Sequence, residues 1–199
     1  MARSNGGVIG KVNKTSFGKD KVTSTTSTGS TTITTQPGTT LVRALVVAGG
    51  GSGGTNQGGA GGAGGMLDSS CISVCGNKGY PIVVGAGAAA TSPPNACGTV
   101  GTNSTGFCLT AFGGGKGSSV ALFPSNADGG PGGSGGGGSG AYYQTTAGGS
   151  GTACQGNAGS GNAGPAGASP LKTGAGGGGG ASAASDLDLF ISYEVLDDA

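Results

Sequence analysis

GGGSGGTNQGGAGGAGG, residues 49–65, is the stretch whose reading decides the fold. Glycine occupies 50, 53, 59, 62 and 65 in one phase of three, with Asn56 the only interruption, and GGAGGAGGM (58–66) fills a second phase as well. Period three belongs to neither an α-helix nor a β-strand; it is the period of the polyproline II conformation, about 3.1 Å per residue. The phase recurs at Gly129, Gly132, Gly135 and Gly138, and again at Gly161, Gly164 and Gly167. A lone extended glycine run has no internal hydrogen bonds and stays disordered in water. Several runs packed side by side can pair their N–H and C=O groups with neighbours, because only glycine or alanine lets backbones approach closely enough. The pattern therefore predicts a polyglycine II lattice, with backbone hydrogen bonds of about 0.5–1.5 kcal/mol each standing in for an apolar core. Collagen, the rival period-three structure, requires an unbroken register and abundant proline, and eight prolines with several phase breaks exclude it.

Composition agrees. Of 199 residues 51 are Gly, charged residues are 9% and aromatic residues 5%, so a helical bundle and a charge-driven disordered tail are both excluded. Outside the glycine blocks the chain reads as short strands. TTITT (31–35), Gln36-Pro37-Gly38 and TTLVRALVVA (39–48) predict two strands joined as a hairpin by a Pro-Gly turn. Tyr80–Val84, Ser118–Phe123 and Ala141–Thr146 read as further strands, and DLDLFISYEVL (186–196) alternates as a half-buried one. The expected fold is mainly β, short strands with a polyglycine II lattice or sandwich and little or no α-helix. Residues 1–21 are expected to be an extended basic arm and residues 22–199 a glycine-rich β/polyglycine II domain.

The chain carries no His and no Trp, so it lacks the commonest general base and imidazole ligand. Cys71, Cys75, Cys97, Cys108 and Cys154 do not have zinc-knuckle spacing and read as small thiols or disulfide partners. No metal and no cofactor are expected. Gly49-x-Gly51-x-x-Gly54 follows a strand as a dinucleotide fingerprint does, but NQGGAGGAGG cannot supply the helix whose N-terminus would hold the phosphate. Gly85-x-Gly87-x-x-Ala90 runs into Pro93-Pro94, and in GGGKGSS (113–119) Lys116 is followed by Gly117 instead of Ser or Thr; both read as turns. Residues 1–30 hold no apolar signal core, and no run approaches the roughly 18 apolar residues of a membrane helix. Synthesis in a cytoplasm without membrane insertion follows. Arg3, Lys11, Lys14, Lys19 and Lys21 make the N-terminus basic, too dilutely to call for nucleic acid, while five of the eight acids lie from Asp186 onward. The arm also holds Phe17, an apolar anchor. Tyr80, Phe107, Phe112, Tyr142 and Tyr143 lie at the ends of glycine blocks or between them, either as core and interface plugs or as rings that contact sugars and protein surfaces.

The succession TTITTQPGTTLVRALVVAGGGSGG, GGAGGAGGM, YPIVVGAG, GGGKGSS, GGPGGSGGGGSGA and QGNAGSGNAGPAGA resembles the glycine-rich domain proteins of tailed bacteriophages. The leader MARSNGGVIGKVNKTSFGKDKVTS is similar to those of such proteins in marine phages. The resemblance implies a virion structural protein and not an enzyme. Some relatives of this texture are tail-fibre-tip adhesins in which a polyglycine II sandwich presents loops to a host receptor or glycan. Carried over, it implies receptor-facing loops at 68–80, 91–112 and 141–147, with Tyr80, Phe107, Phe112, Tyr142 and Tyr143 in them. It also implies an arm that attaches to other virion proteins, and a homo-oligomer, by analogy a trimer. A capsid decoration protein held by the same arm is the alternative.

Overall fold

The computed structural model describes residues 22–92, 94–119, 127–140, 145–162, 174–181 and 193–194. The arm 1–21 lies outside them, as do Gly164, Gly167, Tyr142, Tyr143 and most of the strands expected at 118–123, 141–146 and 186–196. β-Branched Thr, Ile and Val on either side of Pro37 favour pleated backbone, and both segments are strands: β1 is Gly29–Thr34 and β2 is Leu41–Val47. Between them the Thr39 N–H donates to the Gln36 carbonyl at 3.2 Å. Pro37 takes the second position of this turn and Gly38, with φ 85°, the third, as a type II turn requires.

The expected hairpin nevertheless does not form. β1 pairs antiparallel with β4 (Gly79–Val84), whereas β2 pairs with β3 (Met66–Ser73) and with the short β7 (Tyr193–Glu194). β5 (Ser104–Gly106) and β6 (Leu109–Ala111) complete the first sheet, in the order β1-β4-β5-β6, and the second sheet runs β3-β2-β7. Burial decides this outcome. A two-stranded hairpin would leave Ile33, Val42 and Ala44 on one uncovered face. Placed in different sheets, they meet across a small core with Phe107, against which Ile72, Val74, Tyr80, Ile82 and Leu109 pack. Segment 68–80, expected as a loop, is largely strand for a similar reason. At the irregularity between Val42 and Ala44, Arg43 grips Asp68 of β3 through two bonds, Nε to Oδ1 at 3.2 Å and Nη2 to Oδ2 at 2.7 Å.

Within 91–112, also expected as loop, β5 and β6 form a two-residue hairpin at Phe107-Cys108 with φ of 50° and 63°. Both angles are those of a primed turn, which favours Asn-Gly; here burial of the Phe107 ring holds it in place.

Past Val47 the backbone changes its period. Ala48, Gly51 and Gly54 donate to Gly65, Gly62 and Gly59, while Gly49, Ser52 and Thr55 donate to Thr102, Thr99 and Ala96. Every third residue thus faces the same neighbour and successive residues face different ones, which is the polyglycine II arrangement. GGGKGSS (113–119), read from the sequence as a turn, instead belongs to one of the extended runs, 112–118: Gly114 and Gly117 donate to Gly49 and Ser52, and Gly115 and Ser118 to Ser134 and Gly137. Run 134–139 stands at the centre. It donates to runs 59–65, 127–133 and 156–162 and accepts from 112–118, 145–151 and 176–180, so six neighbours surround it hexagonally. From Ser134 to Gly138 every backbone N–H donates and every carbonyl accepts, so no backbone polar group of this buried segment is left unpaired, although the buried Ser134 hydroxyl bonds to no described residue.

Close approach, not unusual backbone conformation, is what makes glycine necessary here. Among the described glycines only Gly29 and Gly38 have left-handed φ. A Cβ on Gly135, Gly136 or Gly137 would overlap the carbonyl oxygen of Gly149, Lys116 or Gly176 respectively. At Gly50, by contrast, the nearest atom to an added Cβ is the Gly62 oxygen at 3.6 Å, an ordinary contact.

Gly135→Ala is therefore expected to lower stability by about 3 kcal/mol or more, through overpacking with no flexible atom to yield. Gly50→Ala should be neutral or gain up to ~1 kcal/mol by restricting the unfolded chain. Parallel thermal melts of the two variants check this, and equal loss in both would refute the close-approach argument. Cys108→Gly should raise the melting midpoint, by relief of about 1 kcal/mol of left-handed strain.

Candidate binding surfaces on the lattice

The lattice has two different ends. At one, Val47 leads into run 48–55, Gly65 into β3, run 96–102 into β5, and β6 into run 112–118, so this end is welded to the sheets. Gln155, 7% exposed, is the joint. Its Oε1 accepts from Phe112 N at 2.8 Å, its Nε2 donates to Thr110 O at 3.1 Å, and its carbonyl accepts from Met66 N at 2.9 Å. At the opposite end the runs turn back. Asn56 and Gln57 reverse the chain with φ of 53° and 55°, and Asn56 Nδ2 donates to Oδ1 of Asn95, itself at φ 66°, at 2.7 Å.

The same distal end receives the termini of several other runs. The Gly140 N–H donates to Gln57 O at 2.9 Å, and Ser118 Oγ and Ser139 Oγ both donate to Ala127 O, at 2.6 and 3.2 Å. Thr146 Oγ1 and Asn162 Nδ2 donate to Ser139 O at 2.8 and 3.1 Å. These buried hydroxyls and amides bond the carbonyls of Ser139 and Ala127 beside the central run. Ser118, Ala127, Ser139, Gly140, Thr146 and Asn162 thus lie together at this end.

Two cavities lie elsewhere. An apolar cleft of about 450 Å³ between the sheets is lined by residues such as Val22, Ile33, Val46, Ile82 and Phe107. A groove of about 340 Å³ on the lattice flank is lined by Val100, Asn103, Phe112, Pro131, Ser150 and Thr152, with the backbone of Gly101, Gly113, Gly132 and Gly151. No titratable side chain lines either one among the described residues. No group of three or more His, Cys, Asp or Glu gathers as a metal site among those residues, and no helix of theirs is long and apolar enough to cross a membrane. In the stretch that imitates a dinucleotide fingerprint, the N–H groups of Gly49, Gly51, Ser52 and Gly54 are taken by carbonyls of the chain.

Of the aromatic residues singled out in the sequence, Phe112 is 42% exposed. Phe107, expected in a receptor-facing loop, is only 7% exposed: its ring lies in the core, 5.3 Å from that of Tyr80. Tyr80 is half-buried on β4, and its hydroxyl accepts from Cys75 N at 2.7 Å. Both rings are drawn inward because the two thin sheets have few other large side chains with which to cover each other. Among the lattice glycines, Gly59, Gly62, Gly129, Gly132, Gly135 and Gly161 have backbone atoms where a Cβ would lie; Gly65 and Gly138 are crowded by side-chain oxygens of Gln155 and Thr146. Gly53 is tight, with the Gly59 oxygen at 3.2 Å, and Gly50 has room. The sequence reading missed run 96–102, whose signal is only Gly98 and Gly101, and Gln155, which has no signal at all. Cys71, Cys75, Cys108 and Cys154 are exposed, Cys97 is partly buried, and none is disulfide-bonded.

A family model described as a glycine-rich domain matches residues 25–188. The chain belongs to the glycine-rich domain family. The matched span of this glycine-rich domain begins just before β1 and takes in β1 to β6 and the described lattice runs, with β7 beyond its end. No curated protein and no solved structure matches the chain significantly.

The two phenylalanines of this glycine-rich domain should respond differently to truncation. Phe107→Ala is expected to cost about 3–5 kcal/mol, as for a core ring, and Phe112→Ala less than about 1 kcal/mol, as for a surface residue. Urea unfolding of both variants measures the contrast.

Proposed function

We propose that this glycine-rich domain is a non-enzymatic structural protein of a bacteriophage virion, an exposed appendage or tail-fibre adhesin that meets the host surface with its distal end. The observation that carries the reading is the polarity of the lattice. The sheets and the Gln155 joint occupy one end, while the turns at Asn56-Gln57 and Asn95, tied to each other by a side-chain bond, lie at the other. A backbone lattice held by hydrogen bonds in three directions is a stiff support, and stiff supports carrying irregular connections at one end suit recognition. In this reading the arm, with Arg3, Lys11, Lys14, Phe17, Lys19 and Lys21, attaches the domain to an acidic surface of other virion proteins, and copies associate, by analogy as trimers.

Immunogold or cryo-electron imaging of particles is the test. Density at a fibre tip with the Asn56 end outward is the expected result, together with loss of host binding when residues 55–58 are replaced. Density spread over capsid faces would make the protein a decoration protein instead. Deleting residues 1–21 should abolish incorporation, and undiminished incorporation would remove the arm from the account.

A further inference from the structure

We propose that the flank groove beside Phe112 is a binding site for an uncharged saccharide. The proposal adds a ligand class and a second contact to the adhesin reading, and rests on that reading only for the host envelope as the source of the sugar.

The groove combines an apolar floor with neutral polar walls. Val100 and Phe112, 55% and 42% exposed, are among the large hydrophobic side chains that the chain leaves in water, and both line this one depression with Pro131. An aromatic ring with aliphatic neighbours matches the C–H face of a pyranose, which is apolar while its rim is hydroxylated. The wall residues are those that bond hydroxyls without demanding charge. Asn103 is pinned by its Oδ1, which accepts from Gly113 N at 2.8 Å, and its amide nitrogen has no partner among the described residues. Thr152 Oγ1 donates to Gly132 O at 2.9 Å and keeps its lone pairs as acceptors. The Ser150 hydroxyl likewise bonds to no described residue, although its carbonyl accepts from Gly132 N at 3.1 Å.

Rigidity is the other requirement, since a weak ligand cannot repay the ordering of a loose site. The backbone of the walls is locked into the lattice: Gly101 donates to Gly114, Gly132 to Ser150, Gly133 to Gly113 and Thr152 to Gly133. The volume of about 340 Å³ suits one or two sugar rings. With no charged side chain in the lining among the described residues, an acidic sugar or a phosphorylated ligand gains no counter-charge from them.

The test is titration of the full-length protein with neutral oligomers of glucose, galactose and N-acetylglucosamine, followed by amide NMR, with a proline-rich peptide as comparator. Expected are saturable shifts at the amides of Gly101, Gly113, Gly132 and Gly151, with dissociation constants on the order of 1 mM. Phe112→Ala should weaken binding about tenfold or more. Val100→Glu, at a side chain the lattice does not use, should do the same with an otherwise unchanged spectrum, so a folding defect in the first variant would not rescue the idea. Absence of shifts with every sugar would overturn the proposal, as would shifts produced by the peptide alone. Shifts confined to Asn56 and Asn95 would also overturn the groove while leaving the distal adhesin reading intact. Conversely, particles that lack the protein but attach normally would sink the adhesin reading without touching sugar binding by the isolated chain.

Discussion

Everything in this molecule depends on backbones lying close enough to hydrogen-bond with neighbours on every side. In a β-sheet each strand bonds only to the strands beside it, and side chains fill the space above and below. In the middle of run 134–139 that space is taken by further backbone, so a Cβ on Gly135, Gly136 or Gly137 would meet a carbonyl oxygen and not another side chain. Glycine loses more conformational freedom on folding than any other residue. The lattice offsets that loss by satisfying both polar groups of each central residue, in an interior with few side chains to contribute dispersion or hydrophobic burial.

The sheets and the lattice support each other. The apolar cluster around Ile33, Val42, Ala44 and Phe107 is too small to hold a domain of this size alone, and the glycine runs cannot order without a template. Runs leaving β2 and β6 enter the lattice already spaced by the sheets, and the run through Gly65 and the one through Thr102 lead back into strands. At the seam the two hydrogen-bonding geometries do not match, and Gln155 bridges the difference with a side-chain amide that imitates a backbone donor and acceptor.

Places where local preference is overruled include a core group, a distal group and two turns at the sheet end, at Asn77 and Cys154. Phe107 and Cys108 accept left-handed backbone because the ring beside them is needed in a core short of large side chains. Asn56, Gln57 and Asn95 accept it at the distal end, where no apolar burial explains it and where Asn is the residue that tolerates it best. The first group is about folding. The second marks the end of the lattice that faces away from the sheets.

Much of this was legible in the residues. Period-three glycine over long runs specifies polyglycine II because collagen, which shares the period, needs proline and the 3₁₀-helix is confined to short pieces, and Thr- and Val-rich segments specify strands through their stiff χ1. Neither signal says which run lies beside which, since a glycine has no side chain with which to choose a partner. The same silence explains why 113–119 reads as a turn although it belongs to an interior run, and why Gly50 and Gly135 look alike although only one is locked in. Pro37-Gly38 specified a turn but not whether its strands would pair; burial across two sheets decided that. The exposed groove beside Phe112 was half visible, as an aromatic residue next to a glycine block, while Asn103, Ser150 and Thr152 carried no mark. Sequence by itself determined the kind of backbone and the residues able to form it. Tertiary structure decided the neighbours, the buried and exposed rings, and the two unlike ends, because those depend on contacts between segments that only the folded lattice brings together.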